Sequence, residues 1–198
     1  MGNLRSVTNA VAQCGFDSVV VSTPASLDGA SHLIIPGVGS FAVAMDNMRR
    51  RDLTAPIQAF ARAGRPVLGI CLGMQLLATR GTEGGASEGL GLVPGSVVRF
   101  DATRVPAIPH VGWNDVRLIR PHPMFERMKL GVDFYFVHSY HLVPERSEDL
   151  IGVVVYGDQE VAAVVGRDNV LGFQFHPEKS QASGLRLLEA FCDWAPAC

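Results

Sequence analysis

The chain has 198 residues, 47% of them hydrophobic and 18% charged, with a formal net charge of −2. That balance argues against a disordered chain and against an electrostatic footprint for nucleic acid, leaving small molecules or proteins as the expected partners. The length suits a single domain over residues 1–198 with a sizeable core, and a second domain would be cramped.

No apolar run approaches the ~18 residues of a membrane span, and the N-terminus lacks a charged-then-apolar signal pattern. The reading is therefore a cytoplasmic chain with no membrane partner. Cys14, Cys71, Cys192 and Cys198 show no CxxC spacing, so free thiols are expected rather than a disulfide framework or a zinc site. No metal and no cofactor are expected.

Along the chain, Leu4, Val7, Val11 and Cys14 recur at helical spacing, and Gly15 follows as a stop. Ser18 to Val21 reads as a strand. Leu33 to Ile35 reads as a second, ending at Pro36-Gly37-Val38-Gly39, a turn that could aim N–H groups at a ligand. Ser40 is placed to cap the next helix. A helix around Ala55 to Ala63 stops at Gly64, and the apolar run Val67 to Ile70 reads as a buried parallel strand followed by a helix from Leu72 to Ala78. This half alternates strand and helix as a parallel α/β sheet does.

Beyond Gly81 come strand-like runs at Val97 to Phe100, Phe134 to His138, Ile151 to Tyr156, Val161 to Val165 and Val170 to Phe175. They suggest an antiparallel extension of the sheet. A last helix, about Ala182 to Trp194, carries Leu185, Leu188 and Phe191 on one face and is expected to cover the sheet. The fold class that follows is α/β: a flavodoxin-like open sheet, mostly parallel with an antiparallel extension, and helices on both faces.

Gly69-Ile70-Cys71-Leu72-Gly73 has the form of a nucleophile elbow with cysteine as nucleophile. A strand that reverses sharply into a helix leaves no room for side chains at the flanking glycines. At a helix N-terminus, unpaired N–H groups favour a thiolate over a thiol. A nucleophile needs an acid and base, and the base needs an orienting group. Phe173-Gln174-Phe175-His176-Pro177-Glu178 supplies both, because Pro177 breaks the strand so that Glu178 can turn back to the imidazole. The oxyanion made by thiolate attack needs donors, for which the Val38 and Leu72 N–H groups beside Gly37 are candidates. Read without this context, Cys71 is a core cysteine, His176 an ordinary buried histidine and the glycine turn a connection.

With elbow, glycine turn and His-Pro-Glu in this order, the chain resembles the class I, triad-type glutamine amidotransferases. Further segments are similar to the branch of that family that forms the glutaminase subunit of imidazole glycerol phosphate synthase, the histidine-pathway enzyme. These include Gly2-Asn3-Leu4-Arg5-Ser6, Cys71-Leu72-Gly73-Met74-Gln75, Pro109-His110-Val111-Gly112-Trp113-Asn114 and Phe136-Val137-His138-Ser139-Tyr140. The resemblance implies that Cys71 attacks the side-chain amide of glutamine, His176 shuttles protons and Glu178 orients it. It further implies that Gln75 and Glu83 hold the amide and amino ends of glutamine, with His138, Ser139 and Tyr140 lining the pocket by their backbone.

By the same resemblance, Asn3, Trp113, Asn114 and Tyr135 face a (β/α)8-barrel cyclase subunit, the other half of a heterodimer. The ammonia passes to that subunit for synthesis of imidazole glycerol phosphate and AICAR, and glutaminase activity stays low until the partner binds its ligand and the Gly37–Val38 turn rearranges. Family members begin with an apolar strand and an Asp-Tyr-Gly turn, whereas this chain opens Met1-Gly2-Asn3, so a sheet with its first strand missing is expected. Two other readings stand beside this one: an ammonia-supplying paralogue for another synthase, and a non-catalytic subunit that still binds the barrel.

Overall fold

The computed structural model describes residues 4–126 and 132–196. Its helices and strands, in chain order, are α1 (Leu4–Gln13), β1 (Leu33–Gly37), α2 (Phe41–Arg50), α3 (Thr54–Arg62), β2 (Val67–Cys71), α4 (Leu72–Leu76), β3 (Arg80–Gly81), β4 (Ser87–Glu88), β5 (Gly95–Arg99), β6 (His110–Asp115), β7 (Arg117–Leu118), β8 (Asp133–His138), β9 (Tyr140–Pro144), β10 (Leu150–Tyr156), β11 (Gln159–Arg167), β12 (Val170–Phe173) and α5 (Gln181–Cys192).

The main sheet runs β1-β2-β12-β11-β10-β7. β1, β2 and β12 are parallel, and β11, β10 and β7 extend the sheet antiparallel. β2 is buried at every position, as a strand covered on both faces must be. Its side chains alternate between two cores. Leu68 and Ile70 join Val7 and Val11 of α1 and Leu187, Leu188 and Phe191 of α5, whereas Val67 joins Phe41 and Met45 of α2 and Ile57 and Phe60 of α3. The helices thus lie on both faces, and each fully buried Phe or Leu contributes roughly 1.5–3 kcal/mol of burial.

Two expected members of the sheet pair elsewhere. The run Val97 to Phe100 falls in a four-stranded sheet, β4-β3-β5-β9, and Phe134 to His138 falls in a two-stranded sheet of β6 and β8. An aromatic stack bridges the second of these to the main sheet. The rings of Phe173 and Phe175 lie 5.0 Å apart and those of Phe175 and Phe134 4.1 Å apart, a geometry that adds about 0.5–1.5 kcal/mol per pair beyond burial.

Ser18 to Val21 is not a strand. A strand needs a hydrogen-bonding neighbour, and among the described residues the edge strand β1 pairs only with β2. A groove of about 910 Å³ lined by Val19, Val20, Leu33 and Ile35 lies along that edge, and Val19 and Val20 are exposed. The helix after the elbow stops at Leu76 rather than Ala78, because Thr79 turns away to bond Gly95 and Gly89 through its backbone. β12 ends at Phe173, two residues short of the expected strand. Ser40 precedes α2, but its side chain makes no capping bond. The cap comes from Glu83, whose carboxylate accepts from Phe41 N at 3.3 Å and whose carbonyl accepts from Ala42 N at 3.1 Å. A carboxylate there also suits the positive end of the helix dipole.

Candidate active site

β2 delivers Cys71 at its last position, with φ 54° and ψ −110°. A side chain in that region is strained by roughly 1–3 kcal/mol and persists only where its surroundings hold it. They do so here through the two glycines. A Cβ on Gly73 would stand 1.6 Å from the Ile35 carbonyl oxygen, and one on Gly69 would stand 2.5 Å from that of Gly73. The turn closes only because neither side chain exists. Cys71 stays 7% exposed, open on the side of a cleft.

After β12 the backbone leaves the main sheet. Gln174 N still bonds Ala163 O, but His176 N bonds Tyr135 O of β8, each at 2.9 Å. Pro177 opens a short 3₁₀ turn, which folds Glu178 back so that its Oε1 lies 2.7 Å from His176 Nδ1, with both side chains fully buried. Burial opposes a charge on His176. Hydrogen bonds to Cys71 and Glu178, together with the charges of both, outweigh that penalty and hold the imidazole pKa up at about 9. An imidazolium flanked by a sulfur and a carboxylate is the charge pattern of an activated cysteine.

A cleft of about 320 Å³ opens over the sulfur. Cys71, Leu72, Gln75, Glu83, His138, Ser139, Tyr140 and His176 all line it, as does Val38 of the glycine turn. The larger groove along β1 contains neither Cys71 nor His176, so the chemistry belongs to the smaller hollow. Gly37 lies behind the cleft wall, in register with Cys71 across β1 and β2, and a Cβ there would meet Leu72 Cβ at 3.0 Å. Burial raises the pKa of Glu83 against the lowering effect of its bond to Phe41 N.

Tyr140 O accepts from both Gln75 Nε2 at 2.8 Å and His138 Nδ1 at 2.9 Å. His138 is thus present through its ring as well as its backbone. Burial, with lesser contributions from His110, His141 and His176, pushes it down to about 3, against the bond to Tyr140.

Trp113 and Tyr135 are cross-strand partners on β6 and β8, with ring centres 5.9 Å apart. Trp113 is 45% exposed and Val111, on the same face, 55%. Asn114, expected on the same face, points to the other side of β6, because neighbouring strand residues alternate faces, and its Oδ1 lies 3.4 Å from His110 Nε2. Asn3 and Cys198 lie outside the described residues. Among the described residues no helix is long and apolar enough to cross a membrane, and no group of His, Cys, Asp or Glu is arranged to hold a metal ion.

Sequence reasoning missed Gln174 and Ser180. Ser180 Oγ accepts from Tyr135 N at 3.0 Å and donates to His176 O at 2.6 Å, bracketing the histidine. Its signal was its place two residues after Glu178.

A family model for glutamine amidotransferase class-I matches residues 1–193. The imidazole glycerol phosphate synthase subunit HisH of Desulfitobacterium hafniense is 48% identical over 193 residues, covering 98% of this chain and 90% of that protein. The subunit of the same name from Syntrophotalea carbinolica is 44% identical over 198 residues, covering 98% and 96%. Among solved structures, a chain of PurLQS from Thermotoga maritima superposes with a TM-score of 0.77 at 19% identity, covering 97% of this chain and 92% of that one. A crystal structure of glutamine amidotransferase gives 0.75, also at 19%, covering 97% and 93%. At that identity the two structures speak for the fold.

Proposed function

The chain belongs to the class-I glutamine amidotransferase family, and from that premise we propose that it is the glutaminase subunit of an imidazole glycerol phosphate synthase, acting as one domain. The observation that carries the reading is the strained Cys71 held beside the His176–Glu178 pair, at the mouth of a cleft that also gathers Gln75 and Glu83.

The chemistry runs in two halves. Glutamine enters with its α-ammonium toward Glu83 and its side-chain amide toward Gln75 and the sulfur. The Cys71 thiolate attacks the amide carbon, and the carbonyl electrons move to oxygen, where the Val38 and Leu72 N–H groups are proposed to receive them. His176, as imidazolium, gives its proton to the amide nitrogen. The C–N bond breaks and ammonia leaves, with a glutamyl thioester on Cys71. Water then gives a proton to the neutral His176 and adds to the thioester, and collapse releases glutamate and restores the thiolate. Glu178 keeps one orientation of the ring through both halves.

The ammonia is passed to a (β/α)8-barrel cyclase subunit, seated against the β6–β8 face that presents Trp113 and Tyr135. That face combines an exposed Trp with apolar neighbours, the pattern of an interface anchor. The test is glutamate release by this chain with and without a cyclase barrel and its nucleotide ligand, using Cys71→Ala as the blank. Release that needs both the barrel and Cys71 supports the reading. Release that needs Cys71 but ignores this barrel would assign the chain to another synthase, and no release in either case would overturn it.

A further inference from the structure

Gln174 is fully buried, two residues before His176, and the chemistry above gives it no part. Its side-chain amide stands between two groups that do take part. Gln75 Nε2 donates to Gln174 Oε1 at 3.1 Å, and Gln174 Nε2 lies 3.9 Å from Cys71 Sγ, within the longer reach of a sulfur acceptor.

One backbone carbonyl sets the direction of this chain. Tyr140 O can only accept, so the Gln75 amide must turn its nitrogen toward it. The second hydrogen of that nitrogen then meets Gln174 Oε1, which leaves Gln174 Nε2, a donor, as the end that faces the sulfur. From the other side, His138 must give its Nδ1 hydrogen to the same carbonyl. Its Nε2, in the neutral ring, is therefore the acceptor for His110 Nδ1 at 3.0 Å. Two buried chains, His110–His138 and Cys71–Gln174–Gln75, meet at Tyr140 O, which sets the direction of the bonds nearest it.

We propose that Gln174 is a hydrogen-bond donor to the Cys71 thiolate, and that through Gln75 it ties the position of the sulfur to the Tyr140 wall of the glutamine pocket. The donor matters most when charge sits on sulfur. That is the case before attack, and again when the thioester collapses and the thiolate is expelled. His176 also bonds Cys71, and it moves protons. Gln174 has none to give away and acts by its dipole alone.

The proposal rests on the glutaminase reading, so its test avoids glutamine turnover. The rate of Cys71 alkylation by iodoacetamide is measured across pH on the free chain, with the labelled cysteine identified by peptide mass, for wild type, Gln174→Leu and Gln174→Glu. Both variants are expected to move the rising limb of the rate–pH curve to higher pH, so that below its midpoint alkylation is about fivefold slower. Gln174→Glu, which keeps the shape and sets an acceptor or a charge against the sulfur, is expected to move it further. A merely loosened fold would change the height of the curve without moving the limb. An unmoved limb in the Glu variant, which alone decides if the Leu variant does not fold, overturns the proposal and leaves the glutaminase reading standing. A wild-type Cys71 no more reactive than Cys14 or Cys192 would overturn both.

Discussion

The Tyr135 carbonyl accepts the His176 N–H at 2.9 Å while the Tyr135 ring packs edge-on against the exposed Trp113. One residue therefore touches the proposed partner face with its side chain and the histidine of the proposed triad with its backbone. Ser180 doubles the link by bonding Tyr135 N and His176 O. If the barrel seats on this face, Trp113→Ala removes its largest exposed anchor. A central aromatic of that kind is typically worth about 2 kcal/mol, so the variant is expected to bind the cyclase barrel roughly 30-fold more weakly. Titrating the barrel against partner-dependent glutamate release checks this, and an unchanged half-saturation point would move the interface off β6 and β8.

The elbow glycines and Gly37 of the proposed oxyanion turn differ in what they would strike. On Gly73 an added methyl meets a backbone carbonyl at 1.6 Å, and nothing there can yield, so Gly73→Ala is expected to yield no soluble folded protein. On Gly37 the methyl meets Leu72 Cβ at 3.0 Å and the Gly73 backbone nitrogen at 3.2 Å, so the start of α4 must give by a few tenths of an ångström. Gly37→Ala should fold, losing about 1 kcal/mol in a urea melt. Because the shift is felt at Leu72, a proposed oxyanion donor, glutamate release should fall about 10- to 100-fold. A Gly37→Ala enzyme with full activity and unchanged stimulation by the partner would count against that turn as the oxyanion site.

The geometry around Cys71, His176 and Glu178 was legible because each sits in a short local pattern that forces it. Two glycines around Cys71 and a proline between His176 and Glu178 leave the backbone few options. What sequence could not show was set by distant partners. Ser18 to Val21 has the composition of a strand, but strand pairing is decided by what lies alongside. Ser40 is a good capping residue, and Glu83, 42 positions along from Phe41, takes the bond instead. Phe134 to His138 reads as one more strand of the sheet, yet it pairs with β6 and not with the main sheet. Gln174 stands between two core phenylalanines in sequence, and nothing local shows that its amide meets Gln75 and Cys71.

Cys71 is asked to hold a backbone conformation that glycine holds without strain. Cys71→Ala keeps the Cβ and the strain, and Cys71→Gly removes both. The glycine variant loses more chain entropy on folding, roughly 0.5–1 kcal/mol, against a relieved strain of about 1–3 kcal/mol. It is therefore expected to exceed the alanine variant by about 1 kcal/mol in urea-melt stability, with glutamate release absent in both. An alanine variant more stable than the glycine variant by that entropy difference would mean that the elbow carries no strain and that the position of the thiol is fixed by packing alone.

Acid should weaken the fold through its buried histidines. Burial lowers the pKa of His110, His122, His138 and His141, and that of His138 falls from 6.5 to about 3. A histidine kept neutral in the fold takes up a proton when the chain unfolds. Its contribution is thus complete above the unfolded value and shrinks as pH falls toward the folded one. His176 runs the other way, its contribution complete below the unfolded value and lost as pH rises through about 9, so it offsets a smaller part of the loss between pH 7 and pH 5, and does so equally in wild type and in a variant that keeps it. Between pH 7 and about pH 5, His138 alone should cost about 2 kcal/mol. His138→Asn can keep a donor toward Tyr140 O while removing the titrating ring. Urea midpoints at the two pH values should therefore converge in that variant by the corresponding amount. Equal acid sensitivity in wild type and variant would show that His138 is already protonated in the folded protein, and the hydrogen-bond order derived from Tyr140 would fall with it.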